Sequence, residues 1–243
     1  MTSIFTDMWE TLVPRRDARH GPLPPLLVGL TLVTGLVDAF SYLVLGHVFV
    51  ANMTGNVVFL GFALIGAPGF SIGASIVALV AFWSGALVGG RVGARCGQHR
   101  GRLLTAAIAI QTAFVATAVL LASVSGSPVS AGFRYPLILA LALAMGVQNA
   151  TARKLAVPDL TTTVLTLTIT GIAADSTIAG GAGSTTGRRV VSVTAMLVGA
   201  VIGAVFVLHV AVVLPLAVAL AVLVAIVTAG RVLGRTDAAW VRP

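Results

Sequence analysis

Long apolar runs follow one another through this chain almost without pause, and that feature limits what it can fold into more than any motif does. From Leu26 onward they fall at about 26–45, 48–66, 70–91, 103–125, 136–152, 159–178, 190–208 and 210–229. A helix needs about 20 apolar residues to cross a bilayer, so each run is a crossing candidate. No loop between runs exceeds about a dozen residues, which leaves no room for a catalytic domain outside the membrane. Only 9% of the residues are charged and the mean hydropathy is +1.05, whereas a soluble domain carries about a quarter charged residues. The solvent this sequence suits is lipid. The expected fold class is all-α, a polytopic transmembrane helical bundle.

Residue counts narrow the chemistry. The single cysteine, Cys96, excludes an internal disulfide framework, an iron–sulfur cluster and a thiolate zinc site. His20, His47, His99 and His209 are too scattered for the usual local metal pairs. No metal, cofactor or enzymatic activity is therefore expected. The net charge of +8 does not point to nucleic acid, because every cation but Lys154 is arginine and they stand in short groups between apolar runs. That pattern suits an inner-membrane protein facing anionic lipid on its cytoplasmic side.

The basic groups also test which runs cross, since Lys and Arg in short loops stay cytoplasmic. They are Arg15/Arg16/Arg19, Arg91/Arg95/Arg100/Arg102, Arg153/Lys154, Arg188/Arg189 and Arg231/Arg235/Arg242. If all eight runs cross, the second and third groups fall outside. If the second and sixth runs dip in and return, six spans remain and every group lies inside except lone Arg134. The expectation is six spans plus two broken or re-entrant segments, with eight spans as the alternative. The division that follows is a cytoplasmic N-terminal segment 1–25, transmembrane repeats 26–125 and 136–230, and a cytoplasmic tail 231–243. Within the first segment, Ile4, Phe5, Met8, Trp9, Leu12 and Val13 share one helical face and suit the inner membrane surface. No cleavage site precedes Pro24, so this is not a signal peptide.

The two odd runs begin on their most polar residues, Ala51-Asn52-Met53-Thr54-Gly55-Asn56 and Pro158-Asp159-Leu160-Thr161-Thr162-Thr163. They align at an offset of 107, Asn52 on Asp159 and Thr54 on Thr161. Upstream, Gly35 to Ala39 aligns with Gly146 to Ala150 at 111; downstream, Gly85, Gly89 and Gly93 align with Ala195, Gly199 and Gly203 at 110. Such order suggests a duplication. With three spans per half, the halves are inverted in the membrane, as in many secondary transporters.

Asp38 lies well inside the first run, where a carboxylate costs on the order of 3 kcal/mol unless paired, hydrated or protonated. Its mate in the repeat is the neutral Asn149, beside Gln148. Asn52, Thr54, Asn56, Asp159, Thr161 and Thr163 stand where half-helices would start, and their oxygens suit N-caps. Two half-helix N-termini aimed at the membrane middle would attract a polar or anionic solute group, although Asp159 opposes an anion. Gly55 would allow close backbone approach. Asp175 is expected at a solvated terminus, His47 in an interfacial hydrogen bond, and Gln111 and His209 as interhelical contacts. The stretch Gly183-Ser184-Thr185-Thr186-Gly187-Arg188 lacks the lysine of a phosphate loop, and Trp83-Ser84-Gly85 is no nucleophile elbow.

The segments Gly35-Leu36-Val37-Asp38-Ala39, FVANMTGNVV from Phe49 to Val58, and Met145-Gly146-Val147-Gln148-Asn149-Ala150 resemble those of the YoaK-like family of bacterial integral membrane proteins. The likeness covers about residues 25 to 230. It implies a bacterial inner-membrane protein of unknown function, with Asp38, Asn52, Thr54, Gly55, Asn56, Gln148 and Asn149 as signature positions. The functional expectation is a secondary transporter or permease for a small solute. Asp38 would carry a coupling proton or cation, and Asn52, Thr54, Gly55, Asn56, Gln148, Asn149, Thr161 and Thr163 would line a shared central site. The alternatives are a channel, or a non-transporting subunit whose small-residue faces bind partner helices, a second copy included.

Overall fold

The structure, a computed structural model, describes residues 4–14, 19–181, 185–234 and 239–242. Arg15, Arg16 and Asp17 of the N-terminal group, Gly183 and Ser184 of the glycine-rich turn, and Arg235 lie outside the described residues. Nine α-helices are described: α1 (Ile4–Leu12), α2 (Leu23–Val44), α3 (Met53–Leu64), α4 (Ile72–Cys96), α5 (Arg100–Ser125), α6 (Ala131–Leu155), α7 (Leu165–Ala174), α8 (Thr186–His209) and α9 (Leu214–Leu233). Six of them, α2, α4, α5, α6, α8 and α9, are long and apolar enough to cross a bilayer. α3 and α7 are too short. They lie within the two odd runs: α3 takes in Thr54, Gly55 and Asn56 of its polar opening, whereas α7 begins only after Asp159 to Thr163.

Packing contacts fix how these helices run. Arg134 at the start of α6 donates from Nε to the carbonyl of Leu45 just after α2. Gln148 near the end of α6 donates to Thr34 and to the Leu30 carbonyl of α2. The two helices are therefore antiparallel. Tyr135 lies beside Gly73 and Lys154 beside Gly93, so α4 runs parallel to α6. By the same test α8 runs parallel to α2, with Met196 and Ala200 against Gly35 and Leu36 against Gly203.

Two consequences follow. α2 ends and α4 begins at one end of the bundle, so the chain around α3 leaves and returns on the same side. α6 ends and α8 begins at the other end, and α7 likewise does not cross. Every described cation except Arg134 lies at the end where α2 and α8 start and α4 and α6 finish. The six-span arrangement is the one observed.

Glycine makes the tightest contacts. A Cβ at Gly35 would meet the backbone of Met196, Gly199 and Ala200; one at Gly146 would meet the backbone of Phe82 and Ala86. Gly85 packs on Leu143 and Gly199 on Leu32, again backbone to backbone. The first helix of each sequence half thus packs on the third helix of the other. Backbones approach this closely only where side chains are absent, which is how lipid-embedded helices gain contact without a hydrophobic driving force.

The α-pairings also correct the expected register. Gly35 and Gly146 occupy equivalent places, as expected at an offset of 111. Gly85 and Gly89, however, correspond by packing to Gly199 and Gly203, one helical turn from the alignment at 110. The short helices start at Met53 and Leu165, an offset of 112 rather than 107. Runs of similar small and apolar residues fit equally well after a one-turn slip, so sequence similarity alone left the register open.

α1 docks on the start of α8 rather than standing free. The Asp7 carboxylate accepts a hydrogen bond from the Arg188 amide at 2.9 Å, and Gly187 admits the α1 backbone at Ile4 and Met8. Thr185, the N-cap residue of α8, makes no side-chain cap, so Asp7 satisfies one of the otherwise open amides from another helix. Phe5 and Trp9 remain exposed, at 80% and 65%. Pro215 sits in the first turn of α9, where its missing N–H costs no hydrogen bond.

Candidate functional site

Each half carries one polar residue, inward of its first helix's end, that holds the segment leading into its short helix. In the first half the Asp38 carboxylate accepts from the amides of Val50 at 3.2 Å and Ala51 at 3.0 Å. These amides precede α3 and have no helical partner. Asn52 then caps α3, its Oδ1 accepting from Gly55 N. Fully buried Asn56 pairs both ways with Phe49, accepting from its amide at 2.9 Å and donating to its carbonyl at 2.6 Å. Gly55 leaves space for the Phe49 ring, which a Cβ would strike. Thr54 is exposed on α3.

In the second half Asn149 takes the place of Asp38. Its Oδ1 accepts from the Thr163 hydroxyl at 2.5 Å, and its Nδ2 donates to the Met145 carbonyl. Thr161 is exposed and donates to the Val164 carbonyl; Val164, not one of the threonines, is the N-cap residue of α7. The connection into α7 is strained. Ala156, Asp159 and Thr162 all have positive φ, at 50°, 64° and 66°. For a β-branched residue such as Thr162 this conformation is a true outlier. Thr162 is also 1% exposed, and its hydroxyl has no hydrogen-bond partner.

The short helices are clasped by opposite means. Around α3 the clasp is aromatic: Tyr42, Phe49, Phe59, Phe62 and Phe70 form a connected cluster, with Tyr42 and Phe49 stacked at 5.0 Å and Phe59 5.1 Å from Phe70. His47 joins it and shares a hydrogen bond with the Gly69 carbonyl at 3.1 Å, closing the loop that contains α3. Around α7 the clasp is ionic. Arg189 of α8 pairs with Asp159 at 2.8 Å and Asp175 at 2.7 Å, and donates to the Gly171 carbonyl. A Cβ at Gly171 would strike the guanidinium. Asp159, expected to open a half-helix, is thus an ion-pair partner. Asp175, though 57% exposed, has the same partner.

The expected sharing of one pocket by all these side chains is not what the contacts show. Asp38, Asn52 and Asn56 bond within residues 49–55, and Asn149 bonds to Thr163. Gln148 lies level with Leu30 and Thr34 on α2, so Asn149 and Asp38 stand about 10 Å apart along the bundle by helical rise. Amides and a carboxylate that hold nearby chain are spent locally, and among the described residues no hydrogen bond of these side chains joins the two groups. Gln148 does lie between them, fully buried. It donates to Thr34 at 2.8 Å and accepts from Gln111 of α5 at 2.7 Å, while Gln111 Oε1 has no partner. Gln111 is therefore an interhelical contact as expected. His209 is not, being exposed at the end of α8.

A cleft of about 880 Å³ opens where Asn149 and the connection into α7 meet α4. Phe82, Ala86 and Gly90 of α4 form one wall, Asn149 and Ala150 of α6 another, and Leu160, Thr161 and Val164 the strained connection. Arg153 and Lys154 stand at its cationic end. Its volume is that of a small-molecule site, mostly apolar with a few placed polar groups. Arg189, Arg134 and Thr34, which hold this architecture, were not singled out from the sequence as site residues; cations at helix ends carry no local signature beyond charge.

The spanning helices agree with what the chain is similar to. It is 34% identical over 151 residues to the UPF0700 transmembrane protein YoaK of Bacillus subtilis (strain 168), a match covering 62% of this chain and 65% of that protein. The chain therefore spans a little under two thirds of that relative's length. No solved structure matches. A model of the family described as Protein of unknown function (DUF1275) matches residues 26–229. α4, α5, α6, α8 and the two latched short helices fall inside that match, with α2 and α9 overrunning its ends by a few residues, and this multi-pass membrane protein belongs to the DUF1275 family.

Proposed function

We propose that the protein is a secondary transporter or permease for a small polar solute, in the inner membrane of a bacterium, with both termini cytoplasmic. The observation that carries this reading is the pairing of two short, non-crossing helices, each latched by one polar residue of a spanning helix, Asp38 or Asn149. Broken or short helices at equivalent places of two halves are the structural mark of a solute pathway in such transporters. The reciprocal packing of α2 on α8 and α6 on α4 supports two inverted repeats, 26–125 and 136–230. The retention of cations at one end supports its assignment as cytoplasmic.

In this reading the solute enters the cleft beside Asn149 and Thr161, and rearrangement of the strained 156–163 connection opens or closes it. Strain of this kind persists only where the surroundings enforce it, and it clusters in segments that switch. Asp38 carries the coupling proton: protonation weakens its acceptance from Val50 and Ala51 and releases the latch on α3. No covalent chemistry is involved. The test is flux in proteoliposomes loaded with a pH-sensitive dye and challenged with a panel of amino acids, sugars and small organic cations. Solute-dependent proton movement that disappears in Asp38→Asn supports the proposal. Movement that ignores the pH gradient indicates a channel, and the absence of any flux across the panel overturns transport.

A further inference from the structure

Next to the cleft, at the cationic end of the bundle, lies a second pocket of about 480 Å³. It is built from four stretches of chain: Arg19 and His20 ahead of α2, Arg100 opening α5, Lys154 closing α6, and Arg242 after the last turn. No carboxylate is among its described lining residues, and Gly93, Ala94, Lys154 and Ala156 are shared with the cleft. Like charges gathered without an anion repel one another, and the fold makes specific contacts to keep these together.

Two of those contacts are evident. Arg100 donates from Nη2 to the Leu155 carbonyl, and its Nη1 lies 3.4 Å from His20 Nδ1. The guanidinium is thereby fixed at the seam of α2, α5 and α6. At the other rim Trp240 and Val241 are both 4% exposed. The Trp240 ring sits over Gly21 and near Gly101, where any Cβ would collide with or crowd it. This docking brings the end of the chain back onto the bundle and sets Arg242 at the pocket. Arg19, Lys154 and Arg242 are exposed at its rim, with the Lys154 side chain laid along Gly93 and Gly97. The pKa of His20 is lowered by burial first, and then by Arg100, Arg188 and Arg19, so the positive field is felt inside the pocket.

We propose that this pocket binds a phosphate-bearing anion, brought either by the headgroup of an acidic phospholipid or by a free phosphate compound in solution. A carboxylate would satisfy one guanidinium. Cations converging from four sides suit a tetrahedral group with more charge and several acceptor oxygens, with arginine supplying forked donors and lysine a point charge. The pocket also lies where spanning helices end, the level of lipid phosphates, and basic pockets there are suited to anionic headgroups. The inference does not depend on transport.

The test uses full-length protein, delipidated in neutral detergent and titrated with cardiolipin, with phosphatidylcholine, and separately with inorganic pyrophosphate. Melting temperature and bound-lipid mass are the readouts. Arg19→Gln with Arg242→Gln removes two pocket charges from exposed positions; Arg91→Gln with Arg95→Gln removes two from the same end outside the pocket. Cardiolipin is expected to saturate at one site per chain, with binding weakened about tenfold or more by the first pair and unchanged by the second. Pyrophosphate stabilisation lost in the first pair would identify a soluble phosphate as the source; a cardiolipin effect alone identifies the headgroup. Equal weakening by both pairs, or no saturable binding of either probe, overturns the pocket. Lys154→Gln gives an independent reading should the first pair fail to yield folded protein.

Discussion

A carboxylate placed one and a half turns before the end of a spanning helix is legible as an anomaly, and Asp38 stood out for that reason. What it holds was not legible. Its partners are two backbone amides, and amides have no sequence signature. The distinction yields a prediction. Asp38→Asn keeps an oxygen for Val50 and Ala51 but not the charge, as the protonated acid does, so it should melt like the released latch, about 1 kcal/mol below the wild type, while solute-coupled proton movement is lost. Asp38→Leu leaves both amides unpaired and should cost about 2–5 kcal/mol in reversible unfolding, on the scale of one or two buried unsatisfied donors. His20 gives a second prediction with a defined sign. Its folded pKa lies below the ordinary 6.5, so as pH falls through 6.5 the unfolded chain takes up the proton first and stability declines. The melting temperature should therefore drop between pH 7.5 and pH 5.5, and His20→Gln should flatten that drop.

Elements were read more easily than their ends. The six long helices fall on the six runs without a polar opening, because lipid demands continuous backbone hydrogen bonding over the whole crossing. The two odd runs were marked by polar openings; α3 takes part of its opening into the helix behind the Asn52 cap, whereas α7 is confined to the apolar remainder. Register failed for a physical reason: close helix contacts depend on small residues recurring every four positions, so Ala195, Gly199 and Gly203 offer two nearly equivalent matches to Gly85 and Gly89. Packing chooses one of them. Gly146→Ala places a Cβ against the Phe82 and Ala86 backbone and should destabilise by about 1–3 kcal/mol. Gly61→Ala, on α3 with nothing within 4 Å of the added carbon, should be neutral or stabilising by about 0.5–1 kcal/mol. Thermal melts of the two variants side by side check the contrast. For α7, Arg189→Gln removes both ion pairs, and hydrogen exchange should accelerate across 159–175 while the α3 segment, clasped by aromatic rings, is unaffected.

For the whole molecule, sequence and structure agree on six spans because charge distribution and helix length answer independent questions. Single cysteines introduced near Arg153 and near Gly69, with Cys96 replaced by alanine, should react from opposite sides of the membrane. Same-side labelling would contradict the arrangement. The exchange of helices between halves carries an implication for biogenesis. Among the described helices, the backbone-to-backbone contacts of α2 at Gly35 are with α8, near the far end of the chain, and until α8 emerges that close contact has no partner. A nascent chain inserting helix by helix must hold its first span unsatisfied in lipid until most of the polypeptide has left the ribosome, so truncation anywhere before α8 should send the product to degradation rather than leave a stable half.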